Sequence, residues 1–572
     1  MTKDQALKRA GVVFFLLALG AAGIVARLVQ LQVVQHPHWA ALAQALQEET
    51  IEVPAQRGTI YDCRGRPLAC DVPAYSIALD NYHMTKPELL VRLLEEELGM
   101  EPQEAAELVY RESYFTWLAR RVDREVGERL RERARQLGIR GLLFFDTWKR
   151  AYPLGPLAPE VLGVVGVDGQ GLAGLELSFD QSLSGRAKRY HLLRGLDGRV
   201  YDISLVDPGQ VGEDLRLTLD ADFQRVCQEE LGEGLEAYSA GRGLAIIMEP
   251  CSGAVLALAQ ALGDEPQSPG LEFLNPWAVT QVFEPGSTFK AVISLAALDR
   301  GVVTPESTFN GDSPYVVAGI PIHNAQEQDF GFINFRQALV ASVNTVLIQV
   351  AERLGIEATY RHLRNMGFGE ETGIELPGEV RGLVRPLAEW TPVDLAVASF
   401  GQGVAVTGIQ LATAFCAIAN DGVLPQPHLV AGNAGPGRRV ASPEAAATLR
   451  ELLRATVASP GGTGRHTELP GFYIAGKSGT GQKASPQGGY LEDYVVGAMA
   501  AFFPWWAPEY VVLVVYDDLE FRYWDPYEQT VQFRWGGTTA GPTVKEIVAD
   551  LAQAGLLLPY QPPPTTELGR SG

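Results

Sequence analysis

The longest apolar stretch of the chain lies at its N-terminus. Residues 10–26 carry no charged side chain, and after Arg27 apolar residues continue to Val34. A helix needs about 20 apolar residues to cross a bilayer, and an arginine near a helix end can reach the lipid interface. The pattern therefore predicts a single transmembrane anchor over residues 10–33.

The charges in front of this span predict its orientation. Lys3, Lys8 and Arg9 lie in the segment before the anchor, against a single acidic side chain. Because positively charged flanks stay in the cytoplasm, residues 1–9 are predicted to be a cytoplasmic tail and the chain after the anchor to be exported. A cleaved signal peptide is the alternative, since small residues occur at 18–22. The continued apolar character favours an uncleaved anchor.

The part that follows alternates between strand and helix patterns. In its helical portion apolar residues recur at helix spacing, as at Leu90, Leu93 and Leu94. The predicted elements, in chain order, are an amphipathic helix over 36–50, short strands over 51–83, helices over 86–138, and strands and turns over 151–220. The resulting prediction is a β-rich domain with a helical insertion over residues 34–220, here called the pedestal.

The C-terminal part begins with a predicted β-hairpin, Leu244–Met248 and Ala254–Ala259. Helical patterns then dominate from residue 287 to residue 456. They are followed by predicted strands Phe472–Ala475, Gly497–Phe503 and Tyr510–Tyr516 and by a helix, Val544–Ala554. Strands, then helices, then strands and a last helix predict an α+β domain over 221–556. The proline-rich end, 557–572, is predicted to be disordered.

Composition narrows the possible chemistry. The net charge of −21 repels the phosphates of nucleic acids, so a nucleic-acid-binding function is excluded. The five cysteines form no C-x-x-C pair or Cys/His cluster, so no metal site and no cofactor is predicted. Cys63 and Cys70 could pair in an exported protein, but two unpaired thiols are the favoured interpretation.

Candidate chemistry lies in residues 284–290 (EPGSTFK), which precede an apolar helix. Proline and glycine give a sharp entry, so Ser287 is predicted at the helix N-terminus, with Lys290 one turn later on the same face. A serine hydroxyl needs a base to become a nucleophile. Lysine can be that base only if burial or a second cation lowers its pKa. Alone, this spacing is more often an ordinary capping serine.

Two further segments change this interpretation. Ser342 and Asn344 lie at the start of a second apolar helix, and Lys477 opens the segment 477–481 (KSGTG) after a predicted strand. Each segment alone is more often structural, a satisfied cap or a solvated lysine. Their order, their contexts and their joint occurrence favour one shared active site.

The third segment has a pattern that suits a substrate-binding strand. Alternation places Ser478 and Thr480 on one face, where their hydroxyls can hold a substrate carboxylate. Gly479 leaves the other face bare, so the strand backbone can approach the helix of the first motif. The N–H groups of Ser287 and Thr480 are candidates for an oxyanion hole. Lys477 supplies a second cation that attracts the carboxylate and disfavours charging of the first-motif lysine.

The three segments, S-x-x-K, S-x-N and K-S-G, resemble those of penicillin-binding proteins and serine β-lactamases. Nearly the whole chain resembles a class B penicillin-binding protein, which implies a transpeptidase domain with an antiparallel sheet flanked by helices. Five further segments carry the resemblance: 54–69, 150–166, 171–177, 214–224 and 399–422. The departures are small: Cys63 stands where arginine is usual, Cys251 lies in a turn that commonly begins Asp-Pro, and Ser478 replaces threonine.

The resemblance implies a serine-type peptidoglycan D,D-transpeptidase. Ser287 would be acylated by the penultimate D-alanine of a stem peptide, and the acyl group would pass to an amine on a neighbouring strand. Lys290 would be the base, Ser342 would relay a proton to the leaving amine, and Asn344 would hold the lysine and the substrate amide. β-Lactams would trap the acyl-enzyme. The remaining implied site residues are Lys477, Ser478, Gly479 and Thr480.

The resemblance also implies a partner and a cellular role. The pedestal and the anchor would dock a multi-spanning glycan polymerase of the shape, elongation, division and sporulation (SEDS) family. Residues 283–286 and the short pedestal favour the septal, FtsI-like branch or the sporulation branch over the elongation branch.

Related alternatives stay open at this point. A secreted β-lactamase shares the three motifs but needs neither a retained anchor nor a large segment ahead of its catalytic unit. A D,D-carboxypeptidase differs only in passing the acyl group to water, and an elongation-type transpeptidase has the same fold. A non-enzymatic scaffold of the wall-synthesis complex is disfavoured by the intact set of Ser287, Lys290 and Lys477.

Overall fold

A computed structural model describes residues 3–195, 200–263, 274–485, 488–525 and 530–561. Contacts divide the chain into two compact units. The first comprises Met1–Arg57, Asp71–Lys149 and Ser184–Gly212, and the second comprises Gly58–Cys70, Arg150–Leu183 and Glu213–Gly572. The chain passes between the units several times, and the boundary near residue 220 stays a prediction. Most of the tail predicted to be disordered, 562–572, lies outside the described residues.

The N-terminal segment is one long helix. It runs over Lys3–Val29, continues as a π turn over Gln30–Val34, and is followed by a helix over His36–Gln47. Within the described ranges, Lys3–Val34 is the one helix that is long and apolar enough to cross a membrane, and its apolar window is fully exposed. These features fit the predicted single-pass anchor.

The first unit combines small antiparallel sheets with helices. Its helices after His36–Gln47 are Pro87–Leu98, Pro102–Val109 and Arg124–Leu137. Strands that lie wholly or partly in it are Glu48–Val53, Pro67–Leu79, Thr116–Asp123, Leu142–Ala151, Lys188–Arg194 and Val200–Asp207.

The prediction of continuous helices over 86–138 is wrong in its middle. Thr116–Asp123 is a strand that pairs antiparallel with Pro67–Leu79. β-Branched and aromatic residues there, such as Thr116 and Trp117, favour a β-strand once a partner strand is available. Local periodicity does not reveal that partner, so the strand was missed.

A five-stranded antiparallel sheet lies at the centre of the second unit. Its strands, in spatial order, are Val255–Leu262, Arg242–Met248, Tyr510–Glu520, Tyr490–Phe503 and Ala475–Ala484. The predicted hairpin is confirmed. The third-motif strand begins at Ala475 and not at Phe472, because Tyr473 has a left-handed backbone with φ of 52°. The motif therefore lies within the edge strand instead of after it.

Helices pack on this sheet and on one another. The longer ones are Ala221–Tyr238, Phe289–Asp299, Phe335–Val340, Asn344–Leu354, Ile356–Asn365, Pro392–Ala398, Gly408–Ala419, Pro443–Ala458 and Ala540–Gln553. Helical segments of four or five residues are Pro159–Leu162, Gly174–Ser178, Asp180–Leu183 and Trp277–Thr280. Ala221–Tyr238 was not predicted, although Asp220 is an N-cap whose side chain accepts a hydrogen bond from the Asp222 N–H.

Short strands and turns complete the second unit. The strands are Ile60–Tyr61, Leu215–Arg216, Thr308–Asn310, Tyr315–Val317, Ile320–Ile322, Phe332–Asn334, Val423–Leu424, Arg438–Arg439, Arg522–Asp525 and Thr530–Phe533. The 3-10 turns are Gly286–Thr288, Ala325–Glu327, Leu387–Glu389 and Arg465–Thr467. Cys63 and Cys70 are free thiols in this structure.

The sheet is buried on both faces. Val511, Leu513 and Val515 pack into one hydrophobic cluster, and the alternate residues Val512 and Val514 pack into the other. Because each face is covered, the strand is an unbroken apolar run without the polar alternation of a half-exposed strand. Full burial of each such side chain contributes about 1.5 to 3 kcal/mol. The core therefore fixes the frame that carries the motifs.

Side chains cap the sheet edge opposite the third motif. The Gln224 side-chain amide accepts a hydrogen bond from the Leu258 N–H and donates one to the Leu258 carbonyl, both at 2.8 Å. The Glu160 carboxyl accepts from the Gln260 N–H at 3.1 Å, and burial raises the pKa of Glu160 to about 8. These contacts occupy groups that would otherwise pair with another strand.

A buried ion pair stabilises the part of the second unit that comes from the predicted pedestal. The Arg150 guanidinium donates to the Glu176 carboxylate at 2.7 Å and to the Gly58 carbonyl at 2.9 Å. The side chains of Arg150 and Glu176 are 4% and 0% exposed. Loss of one partner of such a pair leaves a buried charge poorly compensated.

Arg150→Met should therefore lower the free energy of unfolding of the second unit by about 3 to 5 kcal/mol. The matched control is Arg361→Met, which removes an ion pair with Glu357 whose side chains are 67% and 65% exposed. That control should lose less than about 1 kcal/mol. Urea denaturation of the two variants measures the difference, and equal losses would contradict the role of the buried pair.

Candidate active site

Ser287 lies in the tight turn that opens an apolar helix. The 3-10 turn Gly286–Thr288 leads directly into the helix Phe289–Asp299, and Ser287 is half-buried there. Gly286 has a left-handed backbone with φ of 54°, and a Cβ on it would lie 2.6 Å from the Thr480 carbonyl oxygen. Glycine is therefore required at this position, and the turn can approach the edge strand closely.

Lys290 is fully buried one turn after Ser287. Its Nζ donates to the Ser342 carbonyl at 2.5 Å, to Asn344 Oδ1 at 2.7 Å and to Ser342 Oγ at 3.1 Å. All three partners are neutral oxygens. Burial lowers the pKa of Lys290 well below its ordinary value, and the charge of Lys477 lowers it further. The local environment thus favours a neutral amine, which can accept a proton.

Ser342 presents two oxygens to this lysine because of its backbone. Its φ of 59° is left-handed, a conformation that costs a non-glycine residue on the order of 1 to 3 kcal/mol. The turn directs both the carbonyl and the hydroxyl of Ser342 to Lys290 Nζ. Asn344 begins the next helix, and its Nδ2 donates to the His323 carbonyl at 2.9 Å, which leaves Oδ1 toward the lysine.

Lys477 reaches the same serine from the edge strand. Its buried Nζ donates to Ser342 Oγ at 3.0 Å, to the Ser478 carbonyl at 3.0 Å and to Thr463 Oγ1 at 3.3 Å. Burial lowers the pKa of Lys477 to about 7. The Ser342 hydroxyl thus bridges two lysines, and a hydroxyl has both a proton to give and lone pairs to accept one. That arrangement is suited to proton relay.

One face of the edge strand lies against the Ser287 turn. A Cβ on Gly479 would lie 2.6 Å from the Pro285 carbonyl oxygen, and a Cβ on Gly481 would overlap the Glu284 carbonyl oxygen. Lys477 belongs to the same alternate set of strand positions. The pattern of lysine, glycine and glycine at every second residue therefore lets two backbones meet and brings the amine to Ser342.

The other predicted strand residues bond to neighbouring loops. Ser478 Oγ donates to the Thr463 carbonyl at 3.3 Å. Thr480 Oγ1 accepts from the Gly536 N–H at 3.1 Å. Hydrogen bonds thus join Lys290, Ser342, Asn344 and Lys477 directly, while Ser287, Ser478, Gly479 and Thr480 are placed beside them by the chain and by backbone packing.

Sequence reasoning missed several residues of this region. Thr463 contacts both Lys477 and Ser478, and its only signal is the glycine-rich stretch around it, 461–464. Glu284 belongs to the first motif but received no role, although its carboxylate accepts a hydrogen bond from the Gly403 N–H at 2.9 Å. Such long-range contacts leave no periodic trace in the sequence.

Comparison with known proteins agrees with the fold and with the two predicted domain types. Residues 243–549 match the penicillin-binding protein transpeptidase domain, and residues 52–217 match the penicillin-binding protein dimerisation domain. A probable peptidoglycan D,D-transpeptidase, PenA, from Neisseria gonorrhoeae is 31% identical over 94% of this chain and 91% of its own length. The peptidoglycan D,D-transpeptidase FtsI of Escherichia coli K12 is 28% identical over 87% and 85%.

A solved structure shows the same fold. Penicillin-binding protein 3 from Mycobacterium tuberculosis, crystallised with aztreonam, is 25% identical, with a TM-score of 0.66 over 90% of this chain and 99% of that one. The chain therefore belongs to the class B penicillin-binding proteins, the β-lactam-binding D,D-transpeptidases of peptidoglycan synthesis. The predicted fold class and enzyme class are confirmed.

The lowered pKa of Lys290 predicts how acylation depends on pH. The amine is neutral above its lowered pKa and gains a proton as the pH falls below it, so the acylation rate should fall toward acidic pH. Lys477→Met removes the second cation and should raise the pKa of Lys290, which moves this decline to higher pH. Stopped-flow acylation by a chromogenic cephalosporin measures both effects.

Lys483→Met is the matched control on the same strand, since Lys483 pairs with Asp517 at 3.2 Å, outside the lysine–serine cluster. It should leave the position of the decline unchanged. A rate that stays constant down to about pH 5 would show that another group is the base.

Proposed function

We propose that this transpeptidase works through a covalent acyl-enzyme on Ser287. Ser287 Oγ attacks the carbonyl carbon of the penultimate D-alanine of a stem peptide, and its proton passes to Lys290 Nζ. The resulting tetrahedral intermediate loses the terminal D-alanine when the C–N bond breaks. The amine of that D-alanine takes a proton, and an ester to Ser287 remains.

The observation that supports this most strongly is the burial of Lys290 among neutral oxygens beside a second lysine. Such an amine loses its proton readily, and it is one helical turn from the proposed nucleophile. Proton transfer by a base with a suitable pKa accelerates a step by about 10²- to 10⁴-fold. A hydroxyl as weakly acidic as that of Ser287 requires such help.

Ser342 is the proposed relay to the leaving amine. Its hydroxyl contacts both Lys290 and Lys477, so it can give its proton to the departing nitrogen and regain one from a lysine. In the second step an amine of a neighbouring stem peptide attacks the ester carbonyl. The ester C–O bond breaks, the amine proton returns to Ser287 Oγ through Lys290, and an amide cross-link is formed.

Substrate recognition is assigned to the edge strand and to Asn344. Lys477 attracts the terminal carboxylate, and the hydroxyls of Ser478 and Thr480 hold it. Asn344 holds the substrate amide as well as Lys290. The backbone N–H groups of Ser287 and Thr480 stabilise the oxyanion, and the close packing of Gly286 on the Thr480 carbonyl supports their neighbourhood.

Topology and role follow from the anchor and the relatives. Lys3, Lys8 and Arg9 precede the long apolar helix, which favours a cytoplasmic N-terminus and an extracytoplasmic catalytic domain. The likeness to FtsI and the segment 283–286 favour a septal role, with sporulation as the related possibility. A SEDS-family polymerase is the proposed partner of the pedestal and the anchor.

Ser287→Ala should abolish covalent labelling by fluorescent penicillin, because the only proposed nucleophile is removed. The matched control is Ser294→Ala on the same helix, where the buried Ser294 hydroxyl donates to the Lys290 carbonyl. That control should label like the parent protein. Gel fluorescence after denaturation measures the adduct, with circular dichroism to check folding. Persistent labelling of folded Ser287→Ala would overturn the assignment.

The partner proposal predicts separate effects of the anchor on chemistry and on assembly. Residues 10–33 are replaced by an unrelated membrane span, which removes the small residues at 20–23 that permit close helix packing. Penicillin acylation should persist, while co-purification with the polymerase and stimulation of glycan synthesis should fall. Full binding and stimulation by the swapped protein would show that the span is only a tether.

A further inference from the structure

The carboxylate of Glu284 joins segments that are distant in sequence. Glu284 lies three residues before Ser287 and is half-buried. Its Oε1 accepts a hydrogen bond from the Gly403 N–H at 2.9 Å and another from the Tyr490 hydroxyl at 3.1 Å. Its Oε2 is buried and has no hydrogen-bond partner within the described ranges. One oxygen of this side chain therefore makes both bonds.

The loop 401–403 is in backbone contact with the Ser287 turn. The Gly286 N–H donates to the Gly401 carbonyl at 3.1 Å, and a Cβ on Gly401 would overlap the Gly286 carbonyl oxygen. The Gly403 bond to Glu284 is thus the second link between the same two segments. One link is made by Glu284 and the other by Gly286, on either side of Pro285. Together they fix the orientation of the turn, which a single link would not.

A second set of contacts ties this loop and the turn to the strands of the catalytic edge. Gln402 Nε2 donates to Gln482 Oε1 at 2.8 Å, and Gln482 lies on the edge strand two residues beyond Thr480. Tyr490 begins the strand that pairs with it. Glu284 therefore joins the nucleophile turn, the loop 401–403 and this strand hairpin.

We infer that Glu284 is a positioning residue for acylation, which holds the entry turn so that Ser287 meets the substrate carbonyl at the correct distance and angle. The inference rests on the proposed function of Ser287. The Glu284 carboxylate holds the turn through the acceptor capacity of Oε1. Glutamine keeps that acceptor oxygen and the same shape, so it should hold the turn, while its amide nitrogen takes the place of the unpartnered Oε2 and lowers stability. Alanine keeps neither.

The effect of losing this contact should fall on the chemical step. Reactions between positioned groups depend steeply on geometry, and a displacement of about 1 Å can cost 10²-fold. Glu284→Ala should therefore lower the acylation rate constant of a chromogenic cephalosporin about 10²-fold. The dissociation constant of the non-covalent complex should change by less than about threefold, because Glu284 is not assigned any contact with substrate.

Two further variants test the mechanism of positioning. Glu284→Gln should retain an acylation rate constant within about threefold of the parent, because glutamine keeps the oxygen that accepts the hydrogen bonds from Gly403 and Tyr490. Tyr490→Phe keeps the Gly403 link and removes the hairpin link, so its loss should be smaller than that of Glu284→Ala. The rate constant of Glu284→Gln is compared with that of the parent protein, so this test can be made even if Glu284→Ala does not fold, and a loss of about 10²-fold in Glu284→Gln would then overturn the inference.

The matched control is Glu379→Ala, which removes another half-buried carboxylate that accepts backbone N–H bonds, from Thr372 at 2.7 Å and Gly373 at 2.9 Å. It should leave the acylation rate constant unchanged. The inference is overturned if Glu284→Ala acylates at the parent rate, if Glu284→Gln is as slow as Glu284→Ala, or if the whole loss lies in the dissociation constant. Absence of acylation in the parent protein would instead overturn the proposed function of Ser287.

Discussion

The burial of two lysine side chains around one serine hydroxyl is the constraint on which the site depends. An ammonium group removed from water among neutral oxygens loses most of its solvation, and burial lowers the pKa of such a group by as much as several units. Lys290 and Lys477 both meet this condition, and both contact Ser342 Oγ. Two protonated amines at that distance repel each other, so the pair favours a state that carries fewer protons than two free lysines would. The fold supplies the cluster at the cost of a left-handed Ser342.

The central sheet makes this cluster possible because its core is packed on both faces. Side chains cap one of its edges, while the other edge carries the third motif. Apolar residues on both faces lock the strands in register, and the Gln224 and Glu160 side chains occupy one edge. The opposite edge strand carries the third motif, and its glycines let it meet the Ser287 turn backbone to backbone. The position of the Ser287 turn on the edge strand is therefore set by main-chain packing.

Much of the fold and of the site could be predicted from the sequence, and several of the failures share one cause. The membrane-length helix and the hairpin 244–259 follow from local patterns of charge and alternation. The motif residues follow from the joint resemblance of three short segments to a known family. The strand Thr116–Asp123 was missed because its identity depends on a partner strand some forty residues earlier in the chain. Thr463 was missed because its contact with Lys477 arises only in the fold. The role proposed for Glu284 depends on a contact with Gly403, which lies more than a hundred residues away in the chain. No periodicity records such contacts.

The glycines around the Ser287 turn also restrict how the protein can change over generations. A single methyl group at Gly286, Gly401, Gly479 or Gly481 would collide with main-chain atoms that have nowhere to move. The backbone contacts that place Ser287 beside the edge strand are thus nearly closed to substitution. Heritable variation that reduces reaction with β-lactams while preserving wall synthesis is expected to accumulate at positions outside these four backbone contacts.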